Sequence, residues 1–206
     1  MIKNPIHENF PLYKIIPGAF FGILSAVVGV IGDILAYSLF PGYAMSKNMI
    51  SELGIGPGAI FFNVGVFFSG LLAIPYVIYL GSNLLSHNQT HKTHLQVAIA
   101  GSIISSLALS FIGVFPADPN NYTIFLIHGI TATICYTGAI VYLVIFGTHI
   151  LKDNRFLNFF AYLAFTTAFL FGIVISSWIP LIQWIANIFI ITWTVTTSLY
   201  MLYHKI

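Results

Sequence analysis

The sequence predicts an all-α fold, a polytopic membrane bundle of six transmembrane helices with both termini cytoplasmic. Three observations carry that prediction. Charged residues are 6% of 206 and hydrophobic residues 58%, against roughly 25% charged in an average soluble domain. With a mean hydropathy of +0.95, the chain has too few charges to cover a water-facing surface, so its solvent is largely lipid. Six stretches reach the roughly 20 mainly apolar residues that a helix needs to cross a bilayer. When the chain is threaded through six spans, Lys3, Lys14, Lys92, Lys152, Arg155 and Lys205 fall on one side and only Lys47 on the other. Cytoplasmic loops carry the Lys/Arg excess, which sets the orientation and, with it, an expected place in the plasma or cell membrane.

The spans are expected at about 16–40, 58–80, 95–115, 122–146, 156–176 and 180–203, in one domain covering 1–206. Pro41-Gly42 ends the first, and Gly54, Pro57 and Gly58 precede the second. The polar run from Ser86 to His94 separates the second from the third, and Pro116-Ala-Asp-Pro-Asn-Asn121 the third from the fourth. Lys152-Asp-Asn-Arg155 follows the fourth, and Trp178-Ile-Pro180 turns the fifth into the sixth without a charge. Proline suits a helix start because its missing N–H is unpaired there anyway. Helix one carries small residues at Gly18, Gly22, Ser25, Ala26, Gly29 and Gly32, spaced for close helix packing. Gly65, Ser69 and Gly70 offer a matching surface on helix two. Trp178, Trp184, Tyr43 and Tyr122 are placed for an aromatic belt at the outer interface.

Composition also excludes. A net charge of +2, carried by dispersed cations, gives no footprint for nucleic acid. Cys135 is the single cysteine, so there is neither a disulfide framework nor a thiolate metal site; a small buried role is expected for it. No cofactor is implied. His91 and His94 share a helical face at i, i+3 spacing but lack a carboxylate or thiol beside them, and a solvated loop is the expected reading rather than a metal site. The sequon at Asn88 falls on the cytoplasmic side.

The residues that need an explanation are polar ones near the outer edge. Asp33 lies seven or eight residues before Pro41, roughly 10–12 Å below that edge at 1.5 Å per residue. Asn63 in helix two, His128 in helix four and Gln183 in helix six reach a similar depth. Above them lie Ser51 and Glu52 in the first outer loop and Asp118 in the second. Ionisable groups at such depth cost several kcal/mol unless paired or wetted, so the shared depth points to a polar, water-accessible pocket beneath a lid centred on Ser51-Glu-Leu-Gly54. Each member also has a structural reading. Asn63 and Gln183 serve as interhelical hydrogen-bonding groups, Asp118 as a turn residue that bonds its own backbone, and Glu52 as a cap.

Ser51-Glu-Leu-Gly54, Pro57, Phe62-Asn63 and Phe68-Ser-Gly70, followed by Gly113-Val-Phe-Pro-Ala-Asp118 and His128-Gly-Ile-Thr-Ala132, resemble the signatures of the domain-of-unknown-function 998 family of six-helix membrane proteins. More distantly, the loop with its acidic residue and the helix-four histidine are similar to autophagy modulators and a GPI-lipid-remodelling membrane protein. That likeness implies work on lipids, although this chain lacks a matching histidine in its last helix.

Two classes of function follow. In the first, the protein binds or modifies a membrane lipid: His128 is the general base, Asp33 or Asp118 orients it, Glu52 is a second acid/base group and Ser51 the nucleophile. Asn63 and Gln183 then line the substrate pocket. In the second, the polar layer only fixes helix packing in a structural or accessory subunit, alone, as a homo-oligomer or within a larger membrane complex. Transport ranks third, because no charge continues towards the cytoplasmic side.

Overall fold

Six helices form because six apolar runs must satisfy their own backbone groups where water is absent. The computed structural model describes residues 16–87 and 92–206. Lys3, Lys14, Asn88 and His91, used above for orientation, glycosylation and metal binding, lie outside them. The helices are α1 (Gly18–Ser38), α2 (Ala59–His87), α3 (Lys92–Val114), α4 (Tyr122–Ile150), α5 (Asn158–Ser177) and α6 (Pro180–His204), with a short 3₁₀ helix, Ile50–Ile55, between α1 and α2. All six are long and apolar enough to cross a membrane, and the described residues contain no strand. The protein is a multi-pass integral membrane protein.

Two spans run further than expected. The second was to end at residue 80, where Gly81-Ser-Asn83 begins, but α2 continues to His87. The Asn83 side chain donates to Tyr79 O at 2.9 Å within the same helix, and Ser86 Oγ donates to Asn83 O at 2.9 Å. Both polar groups are thereby satisfied without breaking the helix. The fourth, expected to end at residue 146, continues to Ile150 because Gly147 lies against the Phe165 ring and Thr148 Oγ1 bonds back to Ile145 O at 2.7 Å.

Each helix packs on the next in the chain, and α6 closes back against α1. The result is a ring around a central space. The first and last helices meet at one end: a side chain at Gly18 would strike the Tyr79 ring, and Tyr79 OH donates to Ile206 O at 2.7 Å. Six spans therefore return the chain to its starting side. Of the cations within the described residues, Lys92, Lys152, Arg155 and Lys205 lie on that side and Lys47 on the other.

Small residues set the α1–α2 seam. A Cβ at Gly32 would sit 2.7 Å from Phe61 O and 3.0 Å from the Gly65 Cα, so the two backbones touch. About two turns along α1, Ser25 Oγ donates to Ser69 O at 2.8 Å. Gly70 belongs to the neighbouring seam, since a Cβ there would meet Ser106 O at 2.6 Å on α3. One residue turns a helix by about 100°, which carries position 70 off the α1 face. On α3 the buried serines 102, 105, 106 and 110 form a polar stripe; Ser110 Oγ donates to Phe67 O at 3.0 Å and Ser105 Oγ to Cys135 O at 2.7 Å. The outward faces are apolar, with Ile60 65% and Phe169 70% exposed, which places the greasiest surface where lipid lies.

Candidate functional site

The lid is built from the loop that holds Ser51 and Glu52. Tyr43 turns inward: its hydroxyl donates to Met49 O at 2.7 Å and lies 3.2 Å from Asn48 O. Asn48 in turn accepts from Ala44 N at 3.1 Å. Glu52 reaches back over the start of the 3₁₀ helix, accepting from Met49 N at 2.8 Å and from Asn48 Nδ2 at 2.8 Å. This is the carboxylate half of a capping box, satisfying donors a helix start otherwise leaves open. Asn63 holds the other end, its Nδ2 donating to Gly54 O at 3.0 Å, while its buried Oδ1 has no partner among the described residues.

Two adjacent residues of α6 latch the lid to the bundle. Gln183 Oε1 accepts from Ile50 N at 2.9 Å and Gln183 Nε2 donates to Tyr136 OH on α4 at 2.9 Å. Trp184 Nε1 donates to Tyr43 OH at 3.0 Å, and the Trp184 and Tyr43 rings meet edge to face at 6.1 Å. Burial, partly offset by the Trp184 hydrogen bond and reinforced by the nearby Glu52 and Asp33 carboxyls, pushes the Tyr43 phenol above its usual range. Tyr43 and Trp184, expected in an interfacial belt, are 8% and 7% exposed and form the pin of the lid. Their polar atoms find partners inside, which an indole or phenol requires when buried. Trp178 and Tyr122 remain on the outside.

Beneath the lid the central space is a cavity of about 170 Å³, lined by residues from all six helices and by Ile50 and Ser51. At roughly 10–15 Å³ per water in this measure it has room for about ten waters, or for a chain-like ligand. Its carboxyl, imidazole and amide groups are graded: Asp33, His128, Gln183 and Asn187 lie with Ser51 at or near the lid. The remainder mixes apolar side chains such as Ala73, Val77, Ala139 and Ile190 with the hydroxyl-bearing Ser25, Ser69, Ser105, Ser106, Tyr76, Tyr142 and Thr194. At the deep end Tyr76 OH and Thr197 Oγ1 pair at 2.6 Å, and Trp193 Nε1 donates to Phe160 O at 3.0 Å.

The sequence-predicted residues divide accordingly. Asp33, His128, Gln183 and Ser51 line one cavity, drawn from α1, α4, α6 and the lid. Asn63, Glu52 and Asp118 do not line it. Asp118 sits in the second outer loop, where its Oδ1 accepts from Asn120 N at 2.9 Å. His128 is 7% exposed, and its Nδ1 lies 2.7 Å from Phe115 O. A carbonyl oxygen only accepts, so the proton is on Nδ1 and Nε2 is left as the acceptor. A main-chain carbonyl, rather than a carboxylate, therefore orients this imidazole. Asp33 Oδ2 instead accepts from Asn187 Nδ2 at 3.2 Å, a bond that closes the α1–α6 seam.

Asn187, Tyr136 and Tyr43 complete the site; the first two were not singled out in the sequence, and Tyr43 was expected in the interfacial belt rather than here. The signal for Asn187 is present, since it stands four residues after Gln183 and therefore on the same helix face. Tyr136 lies eight residues after His128, two turns deeper along α4. Nothing local marks Tyr43. Among the described residues no three His, Cys, Asp or Glu side chains converge as a metal site would need.

The model of a family described as "Protein of unknown function (DUF998)" matches residues 23–200. No curated protein and no solved structure matches the chain.

Proposed function

The chain belongs to the DUF998 family of membrane proteins, and from that premise we propose that it binds a membrane lipid, polar group uppermost, in the space between its six helices. The observation that supports this reading is the grading of the cavity: its carboxyl, imidazole and amide groups gather under the lid. Below them lie apolar side chains and hydroxyls, of which Ser25, Ser105 and Tyr76 are already bonded within the bundle. An amphiphile has the same polarity gradient. A pocket with a few convergent polar groups on an otherwise apolar wall is the usual form of a small-molecule site. The Lys/Arg bias supports a lid on the extracytoplasmic face, and we take the membrane to be the cell membrane.

The reading extends to chemistry through His128 and Ser51. With Nδ1 engaged by Phe115 O, Nε2 is the atom that takes a proton, and Ser51 on the lid faces the same cavity as the candidate nucleophile. A structural or accessory role is favoured by one observation: both ends of the Gln183 amide are used within the protein, as packing alone would have them.

The test is mass spectrometry of lipids retained by the purified protein, comparing wild type with Ala139→Leu and Ala73→Leu, which add bulk to the apolar part of the cavity. Retention of a defined lipid by the wild type, with loss from both folded variants, is the expected result. Equal retention in all three points to lipid on the outer surface and leaves the structural reading standing.

A further inference from the structure

A second cavity, also of about 170 Å³, lies at the opposite end of the bundle, lined by His87 at the end of α2 and by Lys152, Asp153, Asn154 and Arg155 of the α4–α5 loop. Its one carboxylate is already engaged. Asp153 Oδ2 accepts from Arg155 Nη2 at 2.6 Å, and Asp153 Oδ1 accepts from Arg155 Nε and from the Arg155 main-chain N–H, each at 3.0 Å. Arg155 Nη2 also donates to Asn83 O at 3.0 Å, and the guanidinium lies 5.9 Å from the centroid of the Phe156 ring. These contacts hold the guanidinium plane in place before any ligand arrives.

What remains is donor capacity. Among the described residues none accepts a hydrogen bond from Arg155 Nη1 or from Lys152, and none is hydrogen-bonded to the His87 ring. An arginine fork fixed by Asp153 and Asn83, beside a lysine and a histidine that make no hydrogen bond among the described residues, is the chemistry that recognises a phosphate group. The surroundings indicate where such a group would come from. Leu151, Leu157 and Phe159 are 39%, 53% and 56% exposed on either side of the loop, so the pocket sits at the height where spanning helices leave the lipid. Basic pockets at the cytoplasmic ends of transmembrane helices are where anionic lipid headgroups bind.

We propose that this pocket binds a phosphate group, that of an anionic lipid in the leaflet opposite the lid, with Lys152 supplying charge and His87 and Arg155 directed donors. Free phosphate shares this chemistry, and the test separates the two. Lys152→Gln and His87→Gln are the informative variants, because both side chains are exposed and make no hydrogen bond among the described residues; Arg155 is tied into the fold and is left alone. The full-length protein is reconstituted in phosphatidylcholine nanodiscs with and without phosphatidic acid, and phosphatidic acid retained on detergent extraction is quantified by mass spectrometry. A parallel titration with inorganic phosphate is followed calorimetrically in neutral detergent. The expected result is selective retention of phosphatidic acid, weakened about fivefold by Lys152→Gln and also weakened by His87→Gln. Phosphate binding that depends on Lys152, with equal retention of the two lipids, overturns the lipid assignment and leaves a site for free phosphate. Equal retention of both lipids without phosphate binding, or retention and phosphate binding unchanged by either substitution, overturns the proposal altogether.

Discussion

Replacing Gln183 with methionine keeps the side-chain volume and removes both bonds of its amide, one to the lid at Ile50 and one to Tyr136 on α4, while the Trp184–Tyr43 bond stays. Ile50 N–H loses its acceptor and Tyr136 OH loses its donor. A buried polar group left unmade costs about 1–3 kcal/mol. The Tyr136 hydroxyl lies deeper, where side-chain bonds between membrane helices average only about 0.6 kcal/mol. The lost Ile50 acceptor therefore dominates, and the free energy holding the lid closed falls by about 1–3 kcal/mol. That raises the open population about 5- to 150-fold. The 3₁₀ helix itself keeps its internal support, since the Glu52 bonds to Met49 N and Asn48 Nδ2 do not involve Gln183. Hydrogen–deuterium exchange in nanodiscs resolves the two cases. Amides of residues 44–55 are expected to exchange faster by that factor, while those of α2 and α4 keep their rates. Unchanged lid exchange, or equal acceleration throughout the bundle, would refute the latch.

Other perturbations probe separate parts. Gly32→Val drives a side chain into Phe61 O and the Gly65 backbone; overpacking of this kind costs about 1–3 kcal/mol or more, read as a fall in melting temperature in detergent. Gly129→Ala, where nothing lies within 4 Å of an added Cβ, is expected to be neutral or stabilising by up to about 1 kcal/mol, and a large loss there would contradict the packing described. Asp153 lies outside the spans. Burial alone would raise its carboxyl, but the Arg155 hydrogen bonds and charge hold it below the usual carboxylate value. A depressed pKa contributes stability above the unfolded value of about 3.9, lost as pH falls through the lower folded value. Melting curves should show wild type losing stability in that acid range relative to Asp153→Asn, and parallel curves would contradict the pairing. His128→Ala frees Phe115 O from its imidazole partner and should fold, while altering which lipids the purified protein retains.

Sequence reasoning reached the number of spans because hydropathy over 20 residues responds to the same solvent that shapes the bundle. It stopped two helices early, since Asn83 and Thr148 are polar in isolation and become harmless only through bonds within their own helices. Depth counting placed Asp33, His128 and Gln183 together because rise per residue is fixed along a helix. It gave no azimuth, so Asn63, at similar depth, was grouped with them although it does not line the cavity. The inward turn of Tyr43 and Trp184 was likewise invisible, since an aromatic at the interface has the same sequence whether it faces lipid or a lid. The Asp33–Asn187 bond joins the first helix to the last across 154 residues, a separation that local pattern does not bridge.

The central claim is that lipid occupies the interior of the ring, and photo-cross-linking tests it most directly. Protein reconstituted with a lipid carrying a diazirine along its acyl chain is irradiated, digested and mapped. Adducts on Val77, Ala139 and Trp193, which line the cavity, are predicted, and excess unlabelled lipid should suppress them. Adducts confined to outward residues such as Ile34 and Phe169 would contradict the account.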